Sequence, residues 1–149
     1  MDWIKITPAD LESALNKNQL DILKAQSLQS PGRDAVEDVI SNVVARIRAE
    51  VASSGLNAVD VDHARIPPEL KECALRLAVE ALHLRVPSIA LSEYQIKHAD
   101  LARQILSRAA SGDFAVSAPI FGVRTGNAKK GVSAGSQKRD ATRKTMGNL

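Results

Sequence analysis

A single cysteine, Cys73, stands in 149 residues, which excludes an internal disulfide and gives no reason to expect an oxidising compartment. Aromatic residues are as scarce: Phe, Trp and Tyr make up 3% of the chain, too few for the base-stacking platforms that many single-strand binders use. No apolar run approaches the roughly 18 residues of a membrane span. The opening stretch, MDWIKITPADLESAL, lacks both the basic start and the unbroken apolar run of a signal peptide. Together these absences lead to the expectation of a soluble, intracellular protein.

Motifs for chemistry are missing as well. There is no G-x-x-x-x-G-K-[ST], no G-x-S-x-G and no G-x-G-x-x-G after a strand, and GNAKKG (126–131) lacks the strand–loop–helix setting that aims amides at a phosphate. Glu80 and His83 form one Glu-x-x-His pair, the spacing found in di-iron bundles, where two such pairs and two further carboxylates are needed. With one copy present, both are expected to be polar positions on an amphipathic helix. His63 and His98 have no Cys or His at ligand spacing, and Cys73 is expected to be a small core residue. No catalytic residue, cofactor or metal follows from this pattern.

What the chain does have is an uneven charge. Residues 1–122 carry 13 Lys/Arg against 16 Asp/Glu, a net of −3, and residues 123–149 carry seven against one, a net of +6. The seven are Arg124, Lys129, Lys130, Lys138, Arg139, Arg143 and Lys144, opposed by Asp140 alone. The overall basicity therefore belongs to the tail, and the body is mildly acidic.

Hydrophobic spacing in the body predicts helices. Thr7 before Pro8 starts a short one to about Leu15, with Asp10 near its positive end. Leu20, Leu23 and Leu28 suit a brief helix or turn. Val36, Val39, Ile40, Val43, Val44, Ile47 and Val51 follow one helical face to about Ser53, where Gly55 stops it. Asp34 with Glu37, or Ser30 with Pro31, marks its start; Glu37, Asp38, Arg46, Arg48 and Glu50 fall on the opposite, polar face.

LNAVDVDHAR (56–65) reads as a linker. After the paired prolines of IPPEL, Leu70, Ala74, Leu77, Ala81 and Leu84 form an Ala/Leu stripe that ends near Arg85, before Pro87. Ser92 with Gln95 opens the last helix through a capping box; its inward candidates are Tyr94, Leu101, Ile105 and Ala109, and Gly112 ends it. DFAVSAPIFG (113–122), broken by Pro119, is expected to lie extended on the domain or on a neighbour. The fold class expected is all-α: a small antiparallel bundle of about four helices, residues 1–122, with an extended C-terminal arm, residues 123–149. Ile40, Val43, Ile47, Leu77 and Leu84 are its expected core.

The tail is rich in Gly, Ser and charge and has no apolar periodicity, a composition expected to be disordered in isolation. Its seven cations suit either duplex phosphates, in salt-sensitive, sequence-independent binding, or a protein partner on which a flexible arm becomes ordered.

The order of motifs carries a resemblance. ITPADLESAL, then AVEDVISNVVARIRAEV, then IPPELKECALRLAVEALHLRVPS, then ADLARQILSRAASGDFAV, spanning Ile6 to Val116, resembles the head–tail connector proteins of tailed bacteriophages, in the variety found in Mu-like phages and prophages. The linker before Pro67 is longer and more polar than is usual in that family. The resemblance implies a non-enzymatic all-α adaptor of the virion head–tail junction, assembled in the host cytoplasm. It would sit as a ring, a dodecamer, under the portal protein, meet a tail-side connector (a stopper or tail terminator), and extend the channel for genomic DNA. By its place in the chain, the tail would be the portal-binding arm, and its seven cations the partner-binding residues. The main alternative is a small helical nucleic-acid-binding protein that uses the same tail.

Overall fold

The first helix begins where Thr7 leaves the extended conformation, and its start is closed by a reciprocal pair. The Thr7 N–H and Oγ1–H both donate to the Asp10 carboxylate at 2.8 Å, and the Asp10 N–H donates back to the Thr7 carbonyl at 3.0 Å. The structure, a computed structural model, describes residues 2–26, 34–86 and 88–124. Among these, α1 is Pro8–Ala14, α2 Lys17–Gln26, α3 Ala35–Ser53, α4 Lys71–Leu84 and α5 Glu93–Ser111. A 3-10 turn, Pro68–Leu70, leads into α4. The fold is the small, mostly α-helical bundle expected, with five helices among the described residues, since the stretch around Leu20 and Leu23 is a full helix. No helix among the described residues is long and apolar enough to cross a membrane. Leu28, Ser30, Pro31, Pro87 and residues 125–149, with Lys129, Lys130, Lys138, Arg139, Arg143 and Lys144, lie outside the described residues.

Helix ends follow the local chemistry. Asp34 Oδ1 accepts the Val36 N–H at 2.9 Å to start α3. Ser92 Oγ accepts the Gln95 N–H at 3.2 Å, while Gln95 Oε1 accepts the Ser92 N–H at 3.0 Å, to start α5. Gly112, at φ +87°, closes α5 in the left-handed conformation that a side chain disfavours.

The segment read as a linker is built differently. It holds one short strand, β2 (Val59–Asp60), and runs into a second, β3 (Arg65–Ile66). β3 pairs antiparallel with β1 (Ile4–Lys5), placing Ile4 opposite Ile66. β2 pairs antiparallel with β4 (Gly122–Val123), placing Val59 opposite Val123. Both pairings join residues more than fifty positions apart, so no local signal announces them. Ion pairs tie the β1–β3 corner: Lys5 to Asp62 at 3.0 Å, Arg65 to Asp2 at 3.0 Å and Arg65 to Asp62 at 3.4 Å.

One core runs through the bundle, with Trp3, Leu11, Leu20, Leu23, Ile47, Ile66, Leu70, Leu82 and Leu106 fully enclosed. Each such side chain contributes about 1.5–3 kcal/mol over its exposed state. The whole predicted face of α3 is buried, Ile40, Val43 and Ile47 included, and Leu77 of α4 joins it.

Expectations about which side chains turn inward are overturned on α3, α4 and α5. Leu84 is 70% exposed: α4 is enclosed on most sides, and its solvent strip runs at four-residue spacing through Glu72, Arg76, Glu80 and Leu84. Tyr94 and Leu101 are exposed, because α5 packs inward through Ala99, Ala102, Leu106 and Ala109 instead. Ile105 is only partly buried, and Ala109 is buried as expected. Arg48, assigned to the polar face of α3, is buried.

Candidate partner-binding surface

Arg48 explains how the C-terminal segment is held. Its guanidinium stacks over the Trp3 ring, 5.5 Å from the ring centroid. It donates to the carbonyls of Asp60 at 2.5 Å, Asp62 at 2.9 Å and Arg65 at 2.7 Å. Burial pushes its pKa below the usual arginine value, opposed by the nearby charges of Asp60 and Asp62. The side chain thus clamps the loop between β2 and β3 onto α3, and β2 becomes a fixed edge for β4.

The residues before β4 are anchored in turn. After Gly112, the N–H groups of Asp113 and Phe114 both donate to the Arg108 carbonyl, and Phe114 and Val116 rest on the core. The Trp3 indole N–H donates to the Ser117 carbonyl at 2.8 Å. The Ser117 N–H donates to Glu69 Oε1 at 3.0 Å, and its hydroxyl donates to the same oxygen. Burial alone would raise the Glu69 pKa, but the hydrogen bonds outweigh it and hold the carboxyl below its ordinary value. Residues 113–122 therefore lie on their own domain, one of the two places expected for them.

β4 then completes the strap. The Val61 N–H donates to the Phe121 carbonyl at 3.0 Å, and Gly122 fits where a Cβ would stand 2.8 Å from Pro119 Cγ and 3.0 Å from Ala58 Cβ. Val59 and Asp60 are both buried here, while Val61, Ile120, Phe121 and Val123 are exposed, so a carboxylate is enclosed where apolar neighbours face solvent, an inversion of the usual half-buried pattern. The inversion has a cause: the Asp60 carbonyl serves Arg48, and its carboxylate accepts the Asp62 N–H at 2.8 Å. An apolar, solvent-facing corner results, ending at exposed Arg124.

Of the seven cations expected to bind a partner, Arg124 is described and stands at this corner; the other six lie outside the described residues. Glu80 and His83 do not converge on a common point. His83, expected as a polar position on an amphipathic helix, is instead buried, with Nδ1 2.8 Å from the Val79 carbonyl of its own helix, and Glu80 pairs with Arg103 of α5. Cys73 is buried, and desolvation raises its thiol pKa. Among the described residues no group of three or more His, Cys, Asp or Glu side chains is placed to hold a metal ion.

The anchoring residues Trp3, Arg48, Glu69 and Ser117 were not legible as a set. Trp3 and Ser117 are 114 positions apart. The one available signal was that the chain's single Trp needs a partner for its N–H when buried. Comparison with models of known protein families, with curated proteins and with solved structures finds no match for this chain.

Proposed function

We propose that the chain is a structural adaptor of a tailed-phage neck. In this reading residues 1–122 form a ring of twelve copies under the portal protein, and residues 123–149 reach from it as the portal-binding arm. The ring meets a tail-side connector and extends the channel for genomic DNA. The observation that carries the reading is the fixed root of the tail. Trp3, Glu69 and β2 hold residues 113–123 on the body, so the cationic stretch that follows leaves from one defined, apolar corner. An arm rooted in this way has a known starting point for its partner, and its tether raises the local concentration of the body at that partner. The acidic body, at net −3 for residues 1–122, suits a channel wall that does not retain passing DNA.

Truncation after Arg124 tests this reading while sparing β4. The shortened chain should melt as the full chain does but fail to co-sediment with portal rings. Undiminished co-sedimentation would remove the arm from the proposal.

The tail's net charge of +6 favours one second reading, a helical protein that binds duplex nucleic acid electrostatically. That reading requires DNA retardation at low salt that fades steeply as salt rises. Absence of retardation at low salt would eliminate it.

A further inference from the structure

Helix α5 is apolar on two sides. Ala99, Ala102, Leu106 and Ala109 face the core. Tyr94, Leu101 and Ile105, spaced seven and four residues apart, form a second stripe about 100° further round the axis. Tyr94 is 71% exposed and Leu101 47%, and Ile105 is partly buried. The Tyr94 ring lies 4.0 Å, centroid to centroid, from the His98 ring. Beside the stripe stand Lys97 and Arg108, both exposed and without a side-chain partner among the described residues. A helix with two apolar sides normally has both covered.

A fitting surface exists elsewhere on the same chain. Between α3 and the segment entering α1 lies a cleft of about 540 Å³, with Ile6, Pro8, Ile40 and Val44 in its lining and Glu37 among them. Glu37 is exposed and has no partner among the described residues. The stripe is apolar with a cationic edge. The cleft is apolar too, and since Lys5, which also lines it, is paired with Asp62 at 3.0 Å, the Glu37 carboxylate is the charge it leaves without a partner among the described residues. Residues 125–149 are a poor occupant for the stripe, since their six cations against one acid repel Lys97 and Arg108.

We infer that the Tyr94–Leu101–Ile105 stripe of one copy docks in the Glu37 cleft of a second copy. Stripe and cleft are different surfaces, so the contact is heterologous and repeats from copy to copy, closing as a ring or running on as an open chain. The inference deepens the adaptor reading, on which it rests only for ring closure, by naming the contact between neighbours.

Sedimentation velocity on the full-length chain at about 100 μM, where a micromolar contact is filled, tests it. The wild type should sediment as assemblies larger than a dimer. Leu101→Asp should give monomers with unchanged helical circular dichroism. Lys97→Glu with Arg108→Glu should weaken association by roughly tenfold or more, and adding Glu37→Lys to that pair should restore it. A wild type that is monomeric at this concentration overturns the inference. Assemblies that ignore both Leu101→Asp and the charge reversals also overturn it, leaving the adaptor reading intact. Loss of portal binding by a chain whose self-association behaves as expected would instead count against the adaptor reading alone.

Discussion

Arg48 is the residue on which the non-helical part of the molecule depends. It sits on α3 in a position that periodicity assigns to solvent, because an arginine reads as polar whatever its tip can reach. Its acceptors, the carbonyls of Asp60, Asp62 and Arg65, lie 12, 14 and 17 residues further along, and Trp3 covers it from the N-terminal side. Replacing Arg48 with Met leaves three carbonyls without their charged donor, and each hydrogen bond to a charged group contributes about 1.5–3 kcal/mol. Urea unfolding should therefore show a loss of about 3 kcal/mol or more. Arg48→Lys should recover only part of it, since an ammonium lacks the planar fork and stacks less well on the indole. A loss below about 1 kcal/mol for Arg48→Met would mean that water serves these carbonyls adequately.

At the level of elements, starts and stops were legible, and so was the buried face of α3, but the faces of α4 and α5 were read only in part. Thr7–Pro8, Asp34, Gly55, Ser92 with Gln95, and Gly112 all mark helix ends as expected. Capping is chemistry within four residues, so the local sequence contains it. Which side of α4 or α5 turns inward depends on what the other helices offer. The close approach of α5 to the core selects its alanines over the larger Tyr94 and Leu101, and the enclosure of α4 leaves only one narrow strip for solvent. Two leucines of α4 separate the readings: Leu82 is fully buried and Leu84 is 70% exposed. Leu82→Ala should cost about 2–5 kcal/mol, and Leu84→Ala should stay within about 0.5 kcal/mol, both read from thermal or urea unfolding. Similar losses for the two would restore Leu84 to the core.

The whole molecule is tied together by polar contacts between distant parts of the chain, and these make its stability depend on pH. Lys71 at the start of α4 pairs with Asp10 of α1 at 2.8 Å. The Lys71 hydrogen bond, with help from Thr7 and against the effect of burial, holds the Asp10 carboxyl below its ordinary value. Glu69, bonded to Ser117, is held low as well. A carboxyl with a depressed folded-state pKa adds stability that is complete above its unfolded pKa and is lost as pH falls through the folded one. Unfolding free energy should thus begin to fall near the ordinary carboxylate range, about pH 4, and go on falling below it. Glu69→Gln should flatten that part of the profile, and Ser117→Ala should flatten it similarly. A Glu69→Gln profile that parallels the wild type at acid pH would show that the tie contributes nothing to stability.

By itself the sequence determined the helical class, the marked ends of α1, α3 and α5, the buried face of α3 and the division between an acidic body and a basic tail. Each of these depends on composition or on residues within a few positions of one another. Only the tertiary structure decided that a stretch read as a linker holds one strand and runs into another, that a buried arginine clamps it, that residues 113–123 are strapped to their own body, and that α5 presents a second apolar side outward. Those features join partners from 12 to 114 positions apart. Their stability comes from desolvated hydrogen bonds and close packing, which exist only once the distant segments have met.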